Sequence, residues 1–302
     1  MTDECSKICT CIQFFGSYAH KDIVRENVVK YLAGLGIQYH PPEVMKIQPS
    51  NNKKAPNNGK LQPTKWTLCR RKAIFEDYLS PLEHLTMRTV KLKTNQMVEV
   101  PEYLHNMCSF VLRHADTKGI FKKRGSNTKQ EAVLQMILHD QCLPLDIYSP
   151  IDIAMVILKY LKRLPTPLIP STYDELFFSC YELNEREEVL LIACLLLPTV
   201  HINVLAYLLQ FFNEITKHQA SNQMDLDTLV NNVGPLIMPS INKKSTANSI
   251  VKILIFRSDV IGMIPEAMTA KSPLRRNQTI CQKLTSIFVN FNIRRRFEEN
   301  KS

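Results

Sequence analysis

An all-α fold is what this sequence predicts, on three observations. Apolar residues recur at helical spacing through most of the stretch from residue 74 to 265. Glycine is scarce at 8 residues while proline reaches 17, so long helices punctuated by prolines are expected rather than glycine-rich turns between strands. No segment of that stretch sustains period-two alternation, so a sheet is not expected. With 302 residues of which 45% are hydrophobic, the chain can bury a substantial core. Three regions follow: 1–73, an N-terminal helix and a flexible Pro/Asn/Lys-rich linker; 74–265, the helical domain; and 266–302, a basic tail.

Ile23, Val24, Val28, Tyr31 and Leu32 form one apolar stripe and predict a helix over residues 20–36, ended by Gly34 and Gly36. Residues 40–65 carry few apolar anchors and read as the linker, with order resuming near Ile74-Phe75. Pro101 opens a helix whose stripe is Leu104, Met107, Val111 and Leu112. Thr128 and Glu131 have the spacing of a capping box for a helix through Leu138. Ser149-Pro150 caps the next, from Ile151 to Arg163, apolar on nearly every side and broken by Leu164-Pro165-Thr166-Pro167. Asn184 and Glu187 cap a helix running to Leu197. The segment from Val200 to His218 puts Val204, Leu205, Leu208, Phe211, Phe212 and Ile215 on one face, and a last helix spans Met224 to Val233, ending at Gly234-Pro235.

The charge is lopsided: 38 Lys and Arg against 28 Asp and Glu, a formal net charge of +10. Acidic partners are therefore favoured, with a protein surface or an anionic membrane both open, while no zinc-finger spacing or aromatic-basic strip points to nucleic acid. Nine cysteines without framework spacing suit a reducing compartment, the cytoplasm first, with the nucleus and membrane periphery open. Cys5, Cys9 and Cys11 lack the second pair that a zinc site needs, and no His pattern ligates metal, so no metal or cofactor is expected. No phosphate-binding P-loop and no G-x-S-x-G elbow is present, which argues against a nucleotide or ester hydrolase. Ser272-Pro273-Leu274-Arg275 has the form of a proline-directed phosphorylation site, where two added negative charges would offset Arg275 and Arg276.

The most informative stretch is Gly119-Ile120-Phe121-Lys122-Lys123-Arg124-Gly125, which sets three consecutive cations between two turn-forming glycines behind an apolar Ile-Phe anchor. A loop anchored in this way suits the delivery of positive charge to a partner's phosphates. Together with Leu164-Pro165-Thr166-Pro167-Leu168 and Gly234-Pro235, in this order and spacing, it resembles the RhoGAP domain family, whose members stimulate GTP hydrolysis by Rho-family small GTPases. The resemblance spans roughly residues 75–265 and implies a RhoGAP-type helical domain, with a short N-terminal extension and a basic C-terminal tail outside it. Ile74-Phe75, Val100-Pro101 and the loop together are also similar to the Rho GTPase-activating protein 11 subfamily.

The resemblance implies an enzyme regulator, and it implies site residues, several of them changed here. The family's loop reads G-[IL]-[FY]-R-x-S-G, with its Arg as catalytic finger; this chain has Lys122 there and Arg124 at the Ser position. Lys122 keeps the charge and loses the bidentate fork, so GTPase activation is expected to be weak or lost, with Arg124 a substitute finger on the alternative reading. The family's central helix reads L-L-K-x-F-L-R-E-L-P-x-P-L; without a gap its Lys falls on Leu158 and its Arg on Lys162, with Lys159 adjacent. The late motif N-x-M-x-x-x-N-L-A-x-x-F-G-P-N gives Asn222 and Met224, but its second Asn is Thr228 and its last is Leu236. Lys123, Lys159, Lys162 and Thr228 are thus the expected GTPase contacts, and Thr228 and Leu236 remove two expected braces of the finger. A scaffold that kept the helices and binds another protein or an anionic membrane is the remaining alternative.

Overall fold

Residues 13–39 and 79–269 of the chain are described by a computed structural model. The linker from residue 40, the Ile74-Phe75 approach, the three N-terminal cysteines, Ser272 and the Arg runs of the tail lie outside these residues. Between 102 and 256 the chain is helical, and the prolines mark most of the breaks: α2 Glu102–Arg113, α3 Asn127–Leu138, α4 Pro150–Arg163, α5 Asp174–Tyr181, α6 Arg186–Ala193, α7 Thr199–Lys217, α8 Gln219–Asn222, α9 Leu226–Ile237 and α10 Lys244–Phe256. Ser149 caps α4, its Oγ accepting from the Ile151 N–H at 3.3 Å, and Pro150 fills the first helical position. The helix stops at Leu164, held extended before Pro165.

At the centre stands α7, the longest of the described elements at 19 residues. The predicted face of Val204, Leu205, Leu208, Phe211, Phe212 and Ile215 is buried, but so are His201, Ile202, Asn203, Ala206, Tyr207 and Leu209. The helix is enclosed on nearly all sides rather than amphipathic, because neighbours cover its second face as well. One such neighbour is a hairpin that the periodicity excluded: β2 Met87–Lys91 pairs antiparallel with β3 Met97–Pro101, with Val90 opposite Val98. Val98 and Val100 point inward between exposed Met97 and Glu99, while β2 lies largely in solvent and carries no alternation that could announce it. The turn is seated on α7, where the Lys93 N–H donates to Gln210 Oε1 at 3.2 Å and its ammonium pairs with Glu214.

Three helix ends differ from expectation. The α3 cap is Ser126, whose Oγ accepts from the Lys129 N–H, and not Thr128; Glu131 turns its carboxylate to α4 instead of closing a capping box. At α6 the cap position is Glu185 rather than Asn184, and the helix tightens into a 3₁₀ turn over Cys194–Leu196. Gly234-Pro235 does not end α9, which runs on to Ile237. Gly234 tolerates the position before a proline, and a side chain there would collide with Asn248 of α10, so the missing Cβ is what lets α9 and α10 pack closely.

The N-terminal segment packs into the same core. Strand β1 Gln13–Phe14 pairs antiparallel with β4 Met263–Ile264, and α1 Lys21–Gly34 buries Val24, Asn27, Val28 and Leu32. Phe14 and Phe15 are sealed from solvent, and Arg25 lies 5.1 Å over the Phe15 ring while donating to the Leu197 carbonyl at 3.1 Å.

Candidate functional site

The segment between α2 and α3 makes a tight excursion through three left-handed residues, Gly119 (φ +86°), Phe121 (φ +55°) and Gly125 (φ +63°). For a bulky residue such as Phe121 this conformation is unfavourable by about 1–2 kcal/mol, so it persists only because its surroundings hold it. Its ring fills an aromatic socket on α7, edge-on to Phe211 at 6.0 Å and Phe212 at 5.8 Å between centroids. Ile120 is fully buried beside it.

Hydrogen bonds from four helices complete the anchorage. The Gly119 N–H donates to the Asn222 carbonyl of α8 at 2.9 Å. Asn232 Nδ2 on α9 donates to the Phe121 carbonyl at 3.0 Å. Gln130 Nε2 on α3 donates to the Arg124 carbonyl at 2.6 Å, and the Ser126 N–H donates to Asp152 Oδ1 on α4, also at 2.6 Å. Gln130, Asp152 and Asn222 are buried polar residues, and their side chains find these backbone partners or neighbouring ones. Asn222 donates to the Ala115 and Ile215 carbonyls and accepts from the Met224 N–H, tying loop, α7 and the approach to α9 at one point.

Held by this frame, Lys122, Lys123 and Arg124 are exposed and have no acidic partner among the described residues. The Lys122 and Lys123 N–H groups both donate to the Gly119 carbonyl, at 3.0 and 2.8 Å. The Lys123 stem folds back over Gly119, occupying the space a Cβ would take there, whereas Lys122 and Arg124 flank it in the exposed turn. The nearest acid in sequence, Asp116, is committed to His218 Nδ1 at 2.9 Å, and that hydrogen bond holds its carboxyl below the usual range.

The other expected contacts are placed differently from one another. Lys159 donates to Glu131 Oε1 at 2.7 Å and to Asn127, and Arg163 Nη2 donates to Glu131 Oε2 at 2.7 Å. One α3 carboxylate thus neutralises two α4 cations, and Lys159's hydrogen bond foremost holds the Glu131 carboxyl below its ordinary value. Lys162 points to solvent, and Leu158 is buried. The Thr228 hydroxyl donates to Asp225 Oδ2 at 2.7 Å and its N–H to Oδ1 at 2.8 Å, so it serves the α9 cap rather than the loop. Leu236 packs, partly buried, against the core. The α9 side chain that does meet the loop is Asn232, four residues after Thr228 on the same helix face.

Residues 101–242 match the family model described as the RhoGAP domain. The chain accordingly contains a RhoGAP domain, all-α in its main body, and the cationic loop lies inside the matched residues. Human Rho GTPase-activating protein 11A is 27% identical over 190 residues, covering 58% of this chain and 18% of that protein. Human Rho GTPase-activating protein 7 is 28% identical over 148 residues, covering 48% of this chain and 9% of that protein. The chain therefore spans about a fifth or less of the length of these curated relatives. The crystal structure of human Rho GTPase activating protein 15 superposes with a TM-score of 0.53 at 19% identity, over 67% of this chain and 99% of that one, a likeness of fold. No helix among the described residues is long and apolar enough to cross a membrane.

Proposed function

We propose that this chain binds Rho-family small GTPases through the 119–125 loop and stimulates their GTP hydrolysis weakly or not at all. The observation that carries the reading is a lysine, Lys122, at the exposed tip of a loop whose backbone is fixed from four helices while its three cations stay unpaired among the described residues. Such a loop can approach a partner's phosphates without first breaking internal ion pairs or ordering itself, two costs that ordinarily weaken association. Lys162 adds charge on α4, whereas Lys159 is already engaged by Glu131.

Weak activation follows from the chemistry of the head group. An arginine finger presents a planar, permanently charged fork to charge that shifts between the γ-phosphate and its leaving oxygen, worth about 10³–10⁵ in rate. An ammonium is a compact, strongly hydrated point charge that cannot bridge two oxygens in that geometry. A second reading makes Arg124 the finger. It is favoured by the Gln130 hydrogen bond to the Arg124 carbonyl, which gives that guanidinium a fixed point of departure two residues on. The cytoplasm is the compartment this reading suits, and an anionic membrane surface would be a secondary contact of the same charge.

Pull-down and interferometry against a panel of Rho-family GTPases, in GDP, GTP-analogue and aluminium-fluoride states, test the binding. Association that weakens with salt and is largely lost when Lys122, Lys123 and Arg124 are together replaced by Ala is expected. No binding in any nucleotide state would overturn the proposal in favour of a helical scaffold with another partner.

A further inference from the structure

The peptide unit joining Phe121 to Lys122 is clamped at both edges. Its carbonyl oxygen accepts from Asn232 Nδ2 at 3.0 Å, and its N–H donates to the Gly119 carbonyl at 3.0 Å. The aromatic socket grips the Phe121 ring and not this peptide plane, so the two hydrogen bonds are what fix the plane, and its rotation would swing the Cα–Cβ bond of Lys122 away from its present direction. Left-handed Phe121 favours the relaxed alternative. One hydrogen bond of ordinary strength is of the size needed to decide the balance.

We propose that Asn232 is the positioning residue of the cationic loop, aiming Lys122 by fixing the Phe121 carbonyl. It takes over, one helical turn further along α9, a bracing duty that Thr228 cannot perform while its hydroxyl is committed to Asp225. Asn232 itself is exposed apart from this contact, so it contributes little to the core and its replacement leaves the fold intact. What Lys122 is aimed at rests on the GTPase reading; the aiming itself does not.

The test is amide ¹⁵N relaxation of the free chain for wild type, Asn232→Leu, Asn232→Asp and Asn232→Gln, with thermal melts alongside. The wild-type Lys122 amide is expected near the rigid order parameter of about 0.85. Loss of the donor in Asn232→Leu and Asn232→Asp is expected to lower it below about 0.6, with α9 amides and the melting temperature unchanged. Asn232→Gln, which keeps an N–H donor on a longer arm, is expected to recover part of the order. A Lys122 amide equally rigid in all four proteins would overturn the proposal, and so would loosening spread through α9 with a lowered melting temperature. A second arm follows association with the best-binding GTPase, where slower on-rates are expected for Asn232→Leu. Should no GTPase bind the wild-type chain, the functional reading falls alone and the relaxation result still decides the role of Asn232.

Discussion

On the proposed reading Lys122 stands in place of the family's arginine and differs from it in the geometry of its charge, and the loop beneath it is held firmly enough for that difference to be isolated. Because Asn232, Asn222, Gln130 and Asp152 already fix the backbone, Lys122→Arg alone should raise stimulated hydrolysis by roughly tenfold or more, short of the roughly 10³ a finger can supply. Adding Asn232→Leu should remove that gain, since groups acting as one unit are not additive; an equal gain with and without Asn232 would contradict this. Gly125 is the loop's second critical residue. Its φ of +63° and the closeness of Asp152 Oδ1 leave no room for a Cβ. Gly125→Ala should cost at least about 2 kcal/mol in chemical denaturation, combining left-handed strain with displacement of a buried carboxylate, whereas an unchanged midpoint would show that the turn relaxes freely.

Between elements, the pairing of α3 with α4 sets how much of the positive charge is free. Glu131 ties down Lys159 and Arg163 together, so Glu131→Gln should release both and steepen the salt dependence of association with an acidic partner. The Glu131 carboxyl is held below its ordinary value, so the stability this pairing contributes is present above the unfolded carboxyl's pKa and is lost as pH falls through the lower folded one. Unfolding curves of wild type and Glu131→Gln should thus differ by a constant above about pH 5 and converge in acid; a gap that persists at low pH would assign the effect to packing. Most helices were legible because prolines and apolar periodicity agree, as at Ser149-Pro150 and Leu164-Pro165. The hairpin over 87–101 was not, since only β3 has a buried face to alternate. The contact of Asn232 was not legible either, because residues four apart share a helix face but not a height, and only the folded loop shows that the Phe121 carbonyl sits at its level.

At the scale of the whole molecule, α7 links the two ends of the structure. Phe15 and Gly16 lie against its first turns near Asn203, and the Phe121 socket lies at Phe211 and Phe212, about 13 Å further along by helical rise. Residues 13–39 therefore cover the end of the core away from the cationic loop and leave the loop open. Removing them would uncover the surfaces that Phe14, Phe15, Val24, Val28 and Leu32 seal, and a fall in melting temperature of about 10 °C or more is expected. Phe212→Ala, emptying one wall of the socket at a fully buried site, should cost about 3–5 kcal/mol; an unchanged melt would mean the socket is not closed. The central claim concerns binding without strong activation. It is tested most directly by single-turnover GTP hydrolysis on the tightest-binding Rho-family GTPase, with the wild-type chain, Lys122→Ala and Arg124→Ala each at saturating concentration. The account predicts saturable binding with hydrolysis close to the intrinsic rate in all three. Robust stimulation by the wild type that disappears in Lys122→Ala would contradict it and make the lysine a working finger, and stimulation that disappears only in Arg124→Ala would contradict it in favour of a finger two residues later.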